Sequence, residues 1–358
     1  MNWQISKLND SLKANIQTQI DIKTKPLGSL GQLESLAMQL SLIAQTHNTE
    51  LKAERCTILI FAADHGIADA GVSIAPSEVT GQMVANFIEG GAAINCFCRV
   101  NQINLKVIDA GVKFPPNIQS EHLINQWISA GTLNIAEQSA MTLTQATKAI
   151  EKGACVAKAQ IEQGTDVIGF GDMGIANTSS ASALLCVLLA QPAEQTVGRG
   201  TGISDEQFEC KKALVQQAIE RVLIKHEKTD LSQLNSLSMF ELLAELGGFE
   251  IAQMVGAMLK TAELGKPVVV DGFIVSVAAL IAYKVNQNIA DYFIFAHQSN
   301  EQAHLAILNY FDASPLLQLN LRLGEGTGAA LAMPLIKSAV EFYNHMATFE
   351  HANISAVG

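Results

Sequence analysis

The sequence has 358 residues, 49% hydrophobic and 16% charged, which is enough for one large or two moderate domains with a substantial core. Its formal net charge is −11 at pH 7 and it has no stripe of lysine and arginine, which argues against a protein that binds nucleic acid. The six cysteines do not have the spacing of a zinc site and several lie inside apolar runs, so we expect reduced structural thiols and no metal.

The start of the chain, MNWQISKLNDSLKANIQ, is polar and has no apolar core of the kind that a secretory signal requires. No run reaches the ~18 uncharged apolar residues that are needed to cross a bilayer. We therefore expect a cytoplasmic protein without a membrane-spanning segment.

Short runs rich in valine and isoleucine predict strands that are buried on both faces, as in a parallel sheet. They are 56–63 (CTILIFAA), 105–110 (LKVIDA), 165–170 (TDVIGF), 267–270 (PVVV) and 292–296 (YFIFA). Helical patterns follow most of these strands, at 77–98, 178–189, 272–284 and 300–311, and 231–260 predicts two helices broken at Gly247-Gly248. This alternation predicts an α/β fold with three layers around a Rossmann-like parallel sheet.

Helical patterns at 32–46 and 330–348 have no strand beside them in the sequence. They predict a small helical domain built from both chain ends, residues 1–50 with 330–358. The α/β domain, which would carry the functional site, then spans residues 51–329.

Polar or glycine-rich turns follow the predicted strands, and open α/β sheets bind ligands at the carboxyl ends of their strands. We therefore expect the turns to meet at one site that includes Asp271. For Asp64 and His65 three roles stay open, namely a hydrogen-bonded turn, a substrate contact and metal ligation. The turns are 64–66 (DHG), 109–111 (DAG), 171–174 (GDMG), 271–272 (DG) and 297–299 (HQS).

Two glycine-rich segments lead into predicted helices. In 171–178 (GDMGIANT), Gly174, Asn177 and Thr178 favour phosphate or ribose binding at a helix start, although the spacing is neither that of a dinucleotide fingerprint nor that of a P-loop. In 197–202 (VGRGTG), Gly200 and Gly202 precede a helix that carries Lys211 and Lys212. This second loop is either a phosphate clamp with a lysine as its point charge or a flexible connector.

The segment 321–335 (LRLGEGTGAALAMPL) sets a lone carboxylate, Glu325, between Gly324 and Gly326. The glycines allow close approach of a ligand, and we expect Thr327 to cap the following helix and leave backbone N–H groups free for an anion. Such a carboxylate suits proton transfer beside a phosphorylated substrate, and the alternative is an exposed glutamate in a turn. Hydrolase chemistry has little support, because no G-x-S-x-G elbow occurs.

Eight segments, in one order along almost the whole chain, resemble the nicotinate-nucleotide–dimethylbenzimidazole phosphoribosyltransferases of cobalamin biosynthesis. They are KPLGSLGQLE (25–34), ADHGIADAGVSIAP (63–76), VTGQMVANF (79–87), GDMGIANTS (171–179), VGRGTG (197–202), LGGFEIAQMVGAML (246–259), PVVVDGFIVSVAAL (267–280) and LRLGEGTGAALAMP (321–334).

The resemblance implies transfer of phosphoribose from nicotinate mononucleotide to 5,6-dimethylbenzimidazole, giving α-ribazole 5′-phosphate and nicotinate without a metal or cofactor. It implies that Glu325 is the general base, that Asp172 is a second carboxylate of the site, and that Lys211 matches the lysine after the glycine-rich loop. It also implies a homodimer in which the partner contributes to the site.

Some positions depart from the family pattern. Asp172 stands where a glutamate is more usual in the family. Ala75 and Met83 stand where some members place serine and glutamine against the base, so the sequence does not decide which base is preferred. Two alternatives remain: a non-catalytic protein on the same fold that binds a nucleotide or a cobamide precursor, and a nucleosidase that passes the ribosyl group to water. The first would not need Glu325.

Overall fold

The computed structural model describes residues 2–200 and 202–355, and its centre is a six-stranded parallel sheet with the strand order β3-β2-β1-β4-β5-β6. The strands predicted from apolar runs are confirmed, and β3 is an additional strand that the sequence did not predict. The strands are β1 Cys56–Ala63, β2 Asn104–Gly111, β3 Leu123–Asn125, β4 Val167–Met173, β5 Val268–Val270 and β6 Phe293–Phe295.

The central strand β1 explains why apolar runs mark this sheet. All eight of its residues are buried, because neighbouring side chains point to opposite faces and helices cover both of them. In register, Ile60 lies beside Val107 of β2 on one side and Gly171 of β4 on the other. The α/β class and the layered parallel sheet are therefore as predicted.

Helices surround the sheet, and their bounds correct two expectations. The pattern at 77–98 forms two helices rather than one, because Gly90 takes a left-handed conformation (φ 84°) that ends the first. The pattern at 300–311 becomes helical only at His304. The helices are α1 Lys13–Asp21, α2 Gln32–Thr46, α3 Glu78–Glu89, α4 Ala93–Val100, α5 Leu143–Glu162, α6 Asn177–Leu189, α7 Ala193–Thr196, α8 Asp205–Lys225, α9 Met239–Leu246, α10 Phe249–Glu263, α11 Phe273–Val285, α12 His304–Tyr310 and α13 Thr327–His345.

Helices α5 and α10 pack against each other so closely that their backbones touch. A Cβ on Gly153 would overlap the carbonyl of Gln253, and a Cβ on Gly256 would overlap the carbonyl of Ile150. Small residues therefore replace bulky ones in this contact, which fits the low aromatic content of the chain (6%). Among the described residues, no helix is long and apolar enough to cross a membrane.

Both chain ends meet beside the sheet, where α13 packs against α2 and an antiparallel bridge joins Lys23 to Thr348. Helix α13 starts at Thr327 against β4 and continues without a break to His345, so the predicted boundary at 329/330 falls inside one helix. The two-domain division stays a prediction, and residues 1 and 356–358 of the proposed helical domain lie outside the described part of the chain.

The strand order locates the place where a ligand crevice forms. After β1 the chain adds β2 and β3 on one side of it, and then returns to add β4, β5 and β6 on the other. In doubly wound sheets the crevice lies at the carboxyl ends of the strands where this reversal occurs. Here that position is the carboxyl end of β1 and β4.

Candidate active site

A cavity of about 290 Å³ opens at the carboxyl ends of β4, β5 and β6, and most of the residues predicted for the site line it. The turns after these three strands contribute to its wall, and so do residues further along the chain from β1, such as Val72 and Met83. The turns 64–66 and 109–111 lie at the same edge of the parallel sheet but do not line the cavity. The predicted residues that line the cavity are Ala75, Met83, Asp172, Gly174, Asn177, Thr178, Gly200, Lys211, Gly324 and Glu325.

Asp64 is buried in the fold, with 1% of its surface exposed. Its Oδ1 accepts a hydrogen bond from the Thr80 hydroxyl (2.7 Å), and its Oδ2 accepts one from the backbone N–H of Lys113 (2.8 Å). With both oxygens engaged, Asp64 has the structural role of a hydrogen-bonded turn residue.

His65 also faces the interior, where its Nε2 lies 2.7 Å from Glu250 Oε1 and its Nδ1 lies 3.0 Å from the Ser180 hydroxyl. Burial disfavours a charged imidazole, but the adjacent carboxylate of Glu250 outweighs this and raises the pKa of His65. The pair joins the loop after β1 to α10, and the contact with Ser180 joins it to α6.

Glu325 is the predicted general base, and it is 6% exposed in a left-handed backbone conformation (φ 63°). Within the described residues, its Oε2 has no hydrogen-bond partner. Burial raises the pKa of Glu325 to about 7, and the nearby carboxylates Asp172 and Asp271 add to the shift by disfavouring a further negative charge. A carboxylate of this kind can accept a proton near neutral pH, and the alternative of an exposed turn glutamate was wrong.

Asp172 lies at the end of β4, five positions before Asn177, the first residue of α6. Its Oδ2 accepts a hydrogen bond from the side-chain amide of Asn177 (2.9 Å). Burial and the charge of Asp271 raise the pKa of Asp172 to about 7, although the bond from Asn177 acts in the opposite direction. Asp172 and Glu325 thus form an acidic side of the cavity whose carboxylates disfavour each other's ionisation.

The start of α13 is occupied by Asp271, whereas the sequence predicted a cap by Thr327 and N–H groups left free for an anion. Asp271 is completely buried, its Oδ1 accepts a hydrogen bond from the backbone N–H of Ala329 (2.8 Å), and the N–H groups of Gly326 and Gly328 also stabilise its carboxylate. The acceptor at the start of this helix is therefore a carboxyl group of the protein itself, and burial raises the pKa of Asp271 to about 7 although these N–H groups act in the opposite direction. Asp271 does not line the cavity, so its position does not support the substrate contact predicted for it.

The side chain of Thr327 does not cap α13. It is the first residue of the helix, the residue before it is Gly326 (φ 78°), and the Thr327 hydroxyl donates to the carbonyl of Gly324 (2.8 Å). That bond closes the turn on which Glu325 sits. Gly326 and Gly202 lie outside the cavity wall, and Thr201 of the VGRGTG loop is outside the described residues.

Lys211 forms a basic side of the same cavity. Its ammonium donates to the Thr178 hydroxyl (2.8 Å) and to the carbonyl of Gly198 (2.9 Å), and the residue is 2% exposed. Burial lowers the pKa of Lys211 to about 8. Lys212, by contrast, pairs with Glu209 on the surface of α8.

Further cavity residues were not assigned roles from the sequence. Arg199 and Arg322 add positive charge near Lys211, and Glu301 adds a carboxylate. Arg199 and Arg322 belong to motifs already singled out, VGRGTG and LRLGEG, whereas Glu301 lies in no glycine-rich segment. Apolar side chains complete the wall: Val72, Val79, Met173, Ile175, Ile203, Phe273, Ile274 and Leu323.

No group of three or more histidine, cysteine, aspartate or glutamate side chains in the described part of the chain is arranged to hold a metal ion. The cysteines there are all free thiols. Metal independence stays a prediction, to be tested by chelation.

Comparison with known proteins identifies the family. A family model described as "Phosphoribosyltransferase" matches residues 5–354. The proteins named nicotinate-nucleotide–dimethylbenzimidazole phosphoribosyltransferase from Vibrio vulnificus (strain CMCP6) and Vibrio cholerae serotype O1 (strain ATCC 39315 / El Tor Inaba N16961) are each 49% identical over 352 residues, covering 97% of this chain and 99% of their own. The chain belongs to the nicotinate-nucleotide–dimethylbenzimidazole phosphoribosyltransferase family.

A solved structure shares the fold. The crystal structure of CobT from Thermus thermophilus matches with a TM-score of 0.89 at 38% identity, covering 97% of this chain and 100% of that one. The match to the family model includes every residue of the cavity wall. The acidic and basic sides described above are therefore features of a member of this phosphoribosyltransferase family.

Proposed function

We propose that this protein transfers phosphoribose from nicotinate mononucleotide to 5,6-dimethylbenzimidazole, giving α-ribazole 5′-phosphate and nicotinate for the nucleotide loop of cobalamin. The observation that carries the proposal is the separation of charge at the start of α6. Asn177 holds the carboxylate of Asp172, while the next residue, Thr178, holds the ammonium of Lys211. One cavity thus offers a proton acceptor for the attacking base and an anion site for the phosphate of the nucleotide.

On the acidic side, the reaction requires removal of one proton. A nitrogen of the base attacks C1′ of the ribose, the bond from C1′ to the nicotinate nitrogen breaks, and the N–H proton of the base passes to the carboxylate of Glu325. Nicotinate leaves from a pyridinium and needs no protonation. Attack from the face opposite the leaving group converts a β-linkage into an α-linkage, and both carboxylates stabilise positive charge that develops on the ribose.

On the basic side, Lys211 and the backbone of Gly200 are proposed to bind the 5′-phosphate. An ammonium with two of its three donors already held by Thr178 and Gly198 has one donor left and a fixed position. Charge-assisted hydrogen bonds to phosphate are about twice as strong as neutral ones. This anchor would place C1′ against the acidic side.

The apolar part of the wall is suited to an aromatic base, because it offers large side chains such as Met83, Met173 and Ile175. Ala75 and Met83 provide no hydrogen-bond donor from their side chains. We therefore assign discrimination among bases to shape and to the polar edge that Asp172 presents.

A homodimer and a cytoplasmic location are part of the same proposal. Ile74 and Leu323 flank the cavity and are 61% and 50% exposed, so a second copy that covers this rim would bury apolar surface. Free thiols throughout the described chain support a reducing compartment. Light scattering during gel filtration tests the dimer by giving twice the chain mass.

The experiment that tests the function is product analysis by liquid chromatography and mass spectrometry, with and without dimethylbenzimidazole. The proposal predicts α-ribazole 5′-phosphate and nicotinate in equal amounts only when the base is present. Release of ribose 5-phosphate at the same rate without the base would establish a nucleosidase instead. Tight nucleotide binding without any product would establish the non-catalytic alternative.

A further inference from the structure

Glu301, in the segment between β6 and α12, places a partly buried carboxylate on the basic side of the cavity. The charges that act on it from neighbouring elements are Lys211 of α8 and Arg322 of the segment before α13. A carboxylate in a site suited to phosphate is unexpected, because two anions compete for the same donors.

The carboxylate of Glu301 lies directly against the glycine-rich loop. A Cβ on Gly198 would collide with its Oε2, so only glycine fits there while Glu301 holds this position. The carbonyl of the same Gly198 accepts the hydrogen bond from Lys211 (2.9 Å). Gly198 thus lies between the two side chains, bonded to Lys211 and in close contact with Glu301.

The groups that lie around this carboxylate are those that a phosphate would use, because Lys211, Arg322 and Gly200 line the same cavity as Glu301. Burial raises the pKa of Glu301, while Lys211, Arg322 and the backbone N–H of Gly200 act in the opposite direction by stabilising its negative charge. An N–H group of a glycine-rich loop combined with basic side chains is the usual donor set of a phosphate site. Glu301 therefore adds a negative charge to the side of the cavity where these basic groups could bind an anion.

We propose that Glu301 is an internal competitor for the phosphate of the substrate: its carboxylate faces the same basic groups of the cavity, and its negative charge weakens the binding of an anion beside them. That this anion is the 5′-phosphate of nicotinate mononucleotide rests on the proposed function, whereas the competition itself does not. Substrate and product carry the same phosphate, so Glu301 weakens the binding of both and speeds release of the product.

The test measures binding of inorganic sulfate at pH 7.5 by isothermal titration calorimetry to the full chain and to Glu301→Gln. Removing the competing charge is expected to tighten sulfate binding by about tenfold or more. The control for the loss of one negative charge is Glu206→Gln, because Glu206 is exposed in the first turn of α8. Its affinity for sulfate is expected to stay within about twofold of wild type. Glu301→Asp, which withdraws the carboxylate by one methylene, is expected to fall between wild type and Glu301→Gln.

Unchanged or weaker sulfate binding by Glu301→Gln, or by Glu301→Asp if the first variant does not fold, would overturn the proposal and make Glu301 a support of the loop. A steady-state assay adds a second criterion, since Glu301→Gln should lower both KM for the nucleotide and kcat, as expected when release becomes slower. Tighter sulfate binding in a protein that forms no α-ribazole phosphate would uphold the competition and refute the proposed function.

Discussion

Replacing Glu325 by glutamine removes the ability to accept a proton while it preserves the shape of the side chain. The backbone at this position is left-handed (φ 63°), and glutamine meets the same conformational demand as glutamate. Turnover at saturating substrates is expected to fall on the order of 10²-fold or more, because general base catalysis contributes about that much. Nucleotide binding should remain, since Lys211 and its partners Thr178 and Gly198 are untouched.

The same substitution has a calculable effect on stability. Folding raises the pKa of Glu325 from 4.5 to about 7 through burial and the charges of Asp172 and Asp271. At about 1.4 kcal/mol per pH unit, ionising Glu325 in the folded state costs up to about 3 kcal/mol above pH 7. Because the folded-state pKa is the higher one, this group's contribution to stability is complete below pH 4.5 and is lost as the pH rises through 7.

Glutamine does not titrate, so Glu325→Gln should gain stability relative to wild type between pH 4.5 and pH 8.5, by up to about 3 kcal/mol. The assay combines initial rates of nicotinate release with urea denaturation at both pH values. Near wild-type turnover would remove Glu325 from the role of base. If the two proteins differ in stability by the same amount at pH 4.5 and pH 8.5, the raised pKa inferred for the buried carboxylate of Glu325 is wrong.

Four further outcomes are expected. Lys211→Ala should weaken nicotinate mononucleotide binding by roughly 1.5–3 kcal/mol, and unchanged calorimetric affinity would leave Lys211 a structural residue. Activity should survive exhaustive EDTA treatment, and loss that added divalent metal reverses would contradict metal independence. Asp172→Glu should shift the kcat/KM ratio of dimethylbenzimidazole to benzimidazole by about 1–2 kcal/mol, and an identical ranking would exclude contact with the base. Glu245→Gln should cost about 3–5 kcal/mol in urea unfolding, because Glu245 is buried against Arg221 (2.8 Å) and Lys225 (2.6 Å), and a loss below about 1 kcal/mol would contradict this.

The sheet could be predicted because its strands are buried on both faces and so appear as uninterrupted apolar runs. The strand β3 was not predicted from the sequence because Leu123–Asn125 is a short, partly exposed edge strand. The helix α5 was not predicted from the sequence because its buried face consists largely of alanine and glycine, which give a weak apolar pattern. Both omissions follow from apolar patterns that are too short or too weak to predict an element.

The site was predictable where its chemistry lies in short local motifs, as for Glu325, Asp172 and the residues at the start of α6. It was not predictable where contacts join distant segments. Asp271 occupies the start of α13 through a bond to Ala329, which lies 58 positions later in the chain. Glu301 meets the glycine-rich loop only in the folded protein, and no local pattern marks it.

A crystal structure of Glu325→Gln with nicotinate mononucleotide and dimethylbenzimidazole bound would show directly which side of the cavity each substrate occupies. We expect a phosphate oxygen within about 3 Å of the Lys211 ammonium and a nitrogen of the base within about 3 Å of the side chain at position 325. A phosphate located on the acidic side, or a base nitrogen beyond the reach of position 325, would contradict the assignment of the two sides of the cavity.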